Sequence, residues 1–190
     1  LDPVRATPDS PTPPVMSARA RLLVGRPQDS PVYALDQLVY HLARESIWLT
    51  DAYPVATPAW RESLRRAARA GLDVRLLVPG SSDLPLVGLV SRSSYRSLLE
   101  SGVRIFEWNG PMLHAKTVVI DGQWCRIGSS NQNPASWLGT YELDVAIEDA
   151  HVGHAMQQQY IDDLAHATEM VLNQKQQVQL VSPRAQARRG

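Results

Sequence analysis

Short apolar runs alternate with amphipathic stretches along most of the chain. Arg21–Val24 is a short strand-like run, and Pro31–Arg44 then places Val32, Leu35, Leu38, Val39 and Leu42 at helical spacing, with Pro31 suited to a first turn. Ser46–Thr50 reads as a buried strand. Trp60–Ala70 sets Leu64, Ala67 and Ala68 on one helix face, with Arg61, Arg65, Arg66 and Arg69 mostly on the other as a solvated face, and Gly71 as its stop. Val74–Val78 is a strand closed by Pro79-Gly80. Leu84–Ser101 is helical up to Gly102, and Val103–Trp108 is again a strand. His114–Asp121 alternates in part and can pair with Trp124–Gly128 through an Asp121-Gly122 turn. Glu142–Glu148 predicts a last strand, and Val152–Leu172 a long C-terminal helix. The rhythm predicts an α/β fold, with a mixed central sheet flanked by helices in one lobe.

The two ends differ from this middle. Pro3, Pro8, Pro11, Pro13 and Pro14 crowd the start, so residues 1–17 read as a linker or leader, residues 18–173 as the lobe, and residues 174–190 as a polar, frayed tail. The 190 residues, 44% of them hydrophobic, suffice for one sizeable core. Nineteen basic and nineteen acidic residues cancel, which argues against a protein that coats a nucleic-acid backbone. Cys125 is the single cysteine, so no internal disulfide forms and a reducing compartment is expected. No apolar run approaches the ~20 residues that span a bilayer. The chain opens on Leu1 without the layout of a signal peptide, as expected of an excised or processed piece.

The chemistry concentrates in Met112–Asn131, MLHAKTVVIDGQWCRIGSSN. On a strand beginning at Leu113, period-two alternation would put His114 and Lys116 on one face. An ammonium beside an imidazole suits a phosphodiester: lysine neutralises a non-bridging oxygen, while histidine attacks phosphorus or protonates the departing oxygen. Gly128-Ser129-Ser130-Asn131 offers small side chains and hydrogen-bond donors suited to an oxyanion. Singly, HxK, Asp-Gly and Gly-Ser-Ser-Asn are ordinary features; their joint order and spacing are specific.

That composite, His114-x-Lys116-x4-Asp121-x6-Gly128-Ser129-x-Asn131, resembles the HKD signature of the phospholipase D superfamily. The stretches Leu72–Pro79, Ser82-Asp83, Ser91–Ser93, Gly102–Ile105, Leu113–Thr117 and Val119–Gly122 further resemble the C-terminal half of bacterial cardiolipin synthases, over about Ile47 to Asp149. Glu142 stands where that family has a glutamate after its motif. Two departures are Ala135-Ser136, where the family has Arg-Ser, and Thr140-Tyr141-Glu142, where it often has Asn-x-Glu.

The resemblance implies a phosphatidyltransferase that works through a phosphohistidine, with two HKD motifs meeting at a pseudo-twofold interface. This chain has one HxK, so a second HKD lobe, in a missing N-terminal half or a partner chain, is implied. In a second lobe, His114 becomes the general acid/base, Lys116 and Ser129 phosphate contacts, and Asn131 a contact to the pentacoordinate centre. Asp121 would orient the histidine, and Glu142 the opposite imidazole. No metal or other cofactor is implied. A phospholipid such as phosphatidylglycerol is the implied substrate, with peripheral contact on the cytoplasmic side of a bacterial inner membrane. Nucleic acid is not expected, although a homodimeric single-motif phosphodiesterase or nuclease is the alternative. Arg92 is a further headgroup candidate, and Trp108 and Trp137 flank the motif, with packing favoured over lipid contact.

Overall fold

A computed structural model describes residues 18–55, 57–81, 83, 90–173 and 177–180. The expected leader, most of Leu84–Val90 and the end of the tail lie outside the described residues. In chain order the elements are β1 (Arg19–Gly25), α1 (Pro31–Leu42), β2 (Ser46–Thr50), α2 (Pro58–Arg69), β3 (Asp73–Pro79), α3 (Tyr95–Leu99) and β4 (Arg104–Trp108). There follow β5 (Thr117–Ile120), β6 (Trp124–Gly128), α4 (Pro134–Leu138), β7 (Glu142–Glu148), α5 (Ala150–Leu164), β8 (Ala167–Leu172) and β9 (Val178–Leu180). The described strands form one mixed sheet in the order β1-β7-β6-β5-β2-β3-β4-β8-β9. Among the described strands only β2–β3 and β3–β4 pair in parallel.

Alternation along the central strands separates two cores. Ile47, Leu49, Val74, Leu76, Ile105, Val118 and Ile120 face α1, α2 and α3, which contribute Tyr40, Trp60, Leu64 and Leu98. Trp48, Leu77, Phe106, Val119 and Cys125 face the other way, against Tyr160 and Met156 of α5. Each large side chain so buried is worth roughly 1.5–3 kcal/mol. The helices start where their sequences allow. Pro31 and Pro58 lie in first turns, and Thr57, Asn133 and Asp149 cap α2, α4 and α5 by accepting from Trp60, Ser136 and Val152 N–H. Arg65, on the expected solvated face of α2, joins Glu62 and Ser101.

Three expectations about the course of the chain need correction. The C-terminal segment is a helix only to Leu164; it then turns at Ala165-His166 and returns as β8, antiparallel to β4. His166 therefore lies beyond the helix. The β-branched Thr168 and Val171 fit a strand, and Arg104 bridges to Glu169 at 2.8 and 3.2 Å, so β8 covers an edge that β4 would otherwise expose. The frayed tail expected from Gln174 in part forms β9, which pairs with β8. The strand expected at Leu113 begins at Thr117, so His114 and Lys116 lie on the irregular segment leading into β5.

The strand directions decide where chemistry can gather. The carboxyl ends of β2, β3 and β4, the start of β5, the end of β6 and the start of β7 all meet at one edge of the sheet. Ligands in open α/β sheets bind outside such carboxyl ends. His114, Lys116, Gly128–Asn131 and Glu142 sit there; Asp121 does not. It lies at the opposite end of β5, in the turn to β6, where Asp121 and Gly122 both have positive φ (52° and 62°). Its carboxylate accepts from the backbone N–H groups of Arg44, Glu45 and Ser46 at 2.9, 2.8 and 2.7 Å. The role expected of Asp121 in orienting the histidine is thus replaced by an architectural one, closing the α1–β2 connection.

Candidate functional site

Lys116 is buried at 5% exposure, whereas His114 is exposed beside it. The ammonium donates to the carbonyl of His114 at 2.7 Å, which folds the lysine back under the histidine backbone. Among the described residues no carboxylate lies within ion-pairing distance of Lys116. Burial lowers its pKa from the ordinary lysine value, and the charges of Asp51 and Glu142 act against that fall. The result is a fixed cation, poorly solvated and without a contacting counter-anion, beside an accessible imidazole.

Tyr53 forms the wall that both residues share, and nothing in the signature points to it. Its ring meets the His114 ring edge-on at 5.7 Å, and the Lys116 ammonium lies 5.9 Å from its centroid. Its hydroxyl donates to Asp83 at 2.8 Å, and its carbonyl accepts from Asn133 at 2.8 Å. The available signal was positional: Asp51-Ala52-Tyr53 directly follows the carboxyl end of a buried strand.

The Gly128–Asn131 turn has a different role from the one its donors suggested. The N–H of Gly128 donates to the carbonyl of Lys116, that of Ser129 to Leu143, that of Asn131 to Ser136 Oγ, and that of Gln132 to Asp51. These four donors are engaged within the protein. The Ser129 hydroxyl donates to Glu142 and accepts from Leu143 N–H at 2.9 Å, which removes it from the expected phosphate contacts. Glu142 also accepts from the Thr140 hydroxyl at 2.8 Å, so each of its carboxylate oxygens has a hydrogen-bond partner within the lobe. Asn131 remains at the site, and its side-chain amide donates to Ser136 Oγ at 3.3 Å, which leaves one amide hydrogen over. Arg92 is committed too: it grips Glu107 at 2.8 and 3.1 Å. Trp137 is buried against Tyr33, as packing predicts.

Beneath the turn is a fully buried polar cluster that pattern reading passed over. Arg126 forks onto Asp36 at 3.0 and 2.8 Å and reaches Asp144 at 2.5 Å. Ser130 donates to Asp144, and Gln132 to Asp36. Gly128 is fitted to this cluster, because an added Cβ would lie 2.1 Å from an Asp144 carboxylate oxygen. The turn is therefore clamped from below, which fixes Asn131 relative to Lys116.

Asp51, buried at 1% exposure, joins the two walls by accepting from Tyr53 N–H at 2.8 Å and Gln132 N–H at 2.5 Å. Burial pushes its carboxyl from 3.8 up to about 7, against the lowering effect of those two bonds and of Arg126 and Lys116. A carboxyl whose folded pKa is raised holds its proton more tightly when folded. Its stabilising effect is present below about pH 4 and disappears as pH rises through about 7. Urea midpoints measured at pH 5 and pH 8 should fall across that interval, and Asp51→Asn should flatten the fall. A slope unchanged by the substitution would contradict this assignment.

Residues 40–166 match a family model described as cardiolipin synthase, PLD-like domain. A cardiolipin synthase from Geobacillus kaustophilus is 32% identical over 178 residues, covering 90% of this chain and 35% of that protein. The chain spans only about a quarter to a third of the length of such relatives (26% and 35% in two of them). Among solved structures, the phospholipase D family member Nuc from Salmonella typhimurium superposes with a TM-score of 0.70 at 21% identity, covering 80% of this chain and 99% of Nuc. A phosphatidylserine synthase from Haemophilus influenzae gives 0.65 at 14% identity, with 79% and 39% covered.

Proposed function

This chain belongs to the cardiolipin synthase, PLD-like domain family, and from that premise we propose that it is one catalytic lobe of a phospholipase D-type phosphatidyltransferase making cardiolipin. The observation that carries the reading is the buried Lys116 ammonium, with no contacting carboxylate among the described residues, beside the exposed His114. Such a cation gains more from a phosphate oxygen than a solvated lysine would, because little water must be removed at the moment of binding.

The reaction needs two imidazoles, and this lobe supplies one HxK. A second lobe's histidine attacks phosphorus of a phosphatidyl donor such as phosphatidylglycerol. The P–O bond to the departing alcohol breaks, and His114 protonates that oxygen. In the return step His114 takes the proton of the acceptor alcohol, whose oxygen displaces the histidine from phosphorus. Lys116 and the spare Asn131 amide hydrogen hold non-bridging oxygens throughout, and Glu142 keeps the turn beside Lys116 through Ser129. Among the described residues no helix is long and apolar enough to cross a membrane. Leu138, Tyr141 and Leu143 are exposed around Glu142, an apolar margin suited to peripheral contact with the cytoplasmic leaflet of a bacterial inner membrane.

A second reading, a self-sufficient single-motif phosphodiesterase acting as a homodimer on lipid or nucleic acid, is favoured by one observation: a single such lobe matches 99% of Nuc. Incubation with phosphatidylglycerol and, separately, with single-stranded DNA distinguishes the two. Lipid product that appears only when a second HxK lobe is added is the expected result. Cleavage of DNA by this chain alone would overturn the proposal.

A further inference from the structure

The three residues after β2 do more than line the site. Thr50 pairs with Thr117 as the last rung of the antiparallel β2–β5 ladder, and Asp51 and Lys116 are the residues immediately beyond it, so continuing the register by one step brings them opposite each other. Residues opposed in this way project to the same side of a sheet. Both side chains are buried, at 1% and 5% exposure. One oxygen of Asp51 closes a local turn onto Tyr53 N–H, which aspartates commonly do. The other reaches Gln132 N–H, 81 residues away, and two further bonds run beside it: Val55 N–H to the Gln132 carbonyl at 3.0 Å, and Asn133 to the Tyr53 carbonyl at 2.8 Å. The segment bearing Tyr53 and the turn bearing Asn131 are thus joined at this carboxylate.

Resting on the phosphate-transfer reading above, we propose that Asp51 is a positioning residue of the site: placed opposite Lys116, it joins the Tyr53 segment to the Asn131 turn and supplies the negative charge that the buried ammonium faces. It touches neither phosphate nor the reacting oxygens. The charged groups around it are Lys116 from the segment before β5 and Arg126 from β6, the latter already neutralised by Asp36 of α1 and Asp144 of β7. Tyr53 and the buried Tyr40 of α1 are further titratable groups near it, and Glu142 faces Lys116 from β7. Lys116 is therefore the cation that Asp51 is free to serve.

The chain is well suited to a direct test, because lysine occurs only at positions 116 and 175. In the full chain labelled with carbon-13 and nitrogen-15, the two side-chain signals can be followed by NMR through a pH titration, with Lys175 as internal control. Asp51→Asn should lower the Lys116 midpoint by about one pH unit and shift the Asn131 side-chain amide signals, while Asp51→Glu restores the midpoint. A purely structural aspartate would change the melting temperature and leave the Lys116 midpoint where it was; that result overturns the proposal. Should Asp51→Asn not fold, the chain carrying only His114→Gln gives the same answer without the neighbouring imidazole. There the Lys116 signal should shift as the Asp51 carboxyl carbon titrates near pH 7, and a Lys116 signal flat through that step overturns it. Adding inorganic phosphate to the unsubstituted chain tests the underlying reading separately. If the Lys116 signal ignores phosphate, the phosphate site fails whatever Asp51 does.

Discussion

Replacing His114 with alanine is expected to lower lipid transfer roughly a thousandfold, within the 10²–10⁴ that a general acid/base contributes, and to leave the melting temperature unchanged. The two halves of that expectation have separate physical origins. The imidazole is exposed, and its ring contact is the edge of Tyr53, so its removal opens no cavity and strands no buried donor. The carbonyl that Lys116 grips belongs to the backbone of residue 114 and survives the change. What disappears is the proton for the departing alcohol. Initial rates with phosphatidylglycerol in the presence of a second HxK lobe, beside a thermal melt, check both. Retained turnover would remove His114 from the chemistry, and a collapsed melt would give it a structural role instead.

The largest expected loss of stability lies beneath the site. Arg126→Met should destabilise the fold by about 3–5 kcal/mol, the usual result of removing one partner from a buried ion pair, out of a total of roughly 5–15 kcal/mol for a domain. Asp36 and Asp144 would be left buried at essentially zero exposure with no cation between them. Burial already pushes the Asp36 carboxyl above its ordinary value with Arg126 present. Without the arginine, the Asp36 carboxyl holds its proton to still higher pH. The loss should therefore be greatest at neutral pH and shrink toward pH 4, as protonation removes the uncompensated charge. Circular-dichroism melts of both forms at pH 4.5 and 7.5 measure this directly. A melting temperature lowered equally at the two pH values would point to lost packing rather than lost charge.

The fold was largely legible because its strands are short, apolar and punctuated. Ser46–Thr50, Trp124–Gly128 and Glu142–Glu148 have the boundaries that the pattern predicts. The misreading at Val152–Leu172 has a clear cause. An amphipathic helix and a half-buried strand follow one another with a two-residue turn, and only the open edge of β4 decides which state the second half adopts. The chemical signature located His114 and Lys116 but gave no measure of reach. Its aspartate lies at the far end of β5, and its serine is spent on Glu142. The groups that hold the site in place were hidden for a related reason. Asp36, Arg126 and Asp144 are separated by 90 and 18 positions, and each alone resembles a surface charge. Asp51 and Tyr53 carry no motif. Their importance comes from the strand end they follow, one step beyond the Thr50–Thr117 pair and beside Lys116.

The central claim is that this lobe is half of a phosphatidyl-transfer site that a different HxK lobe completes. The dependence of initial rate on chain concentration, with phosphatidylglycerol as substrate, tests it most directly. Alone, the chain should be silent at every concentration, and on titration with a second HxK lobe the rate should rise and saturate at one lobe per chain. A rate that grows with the square of the chain's own concentration, with no second lobe present, would show that two copies complete the site and would contradict the account.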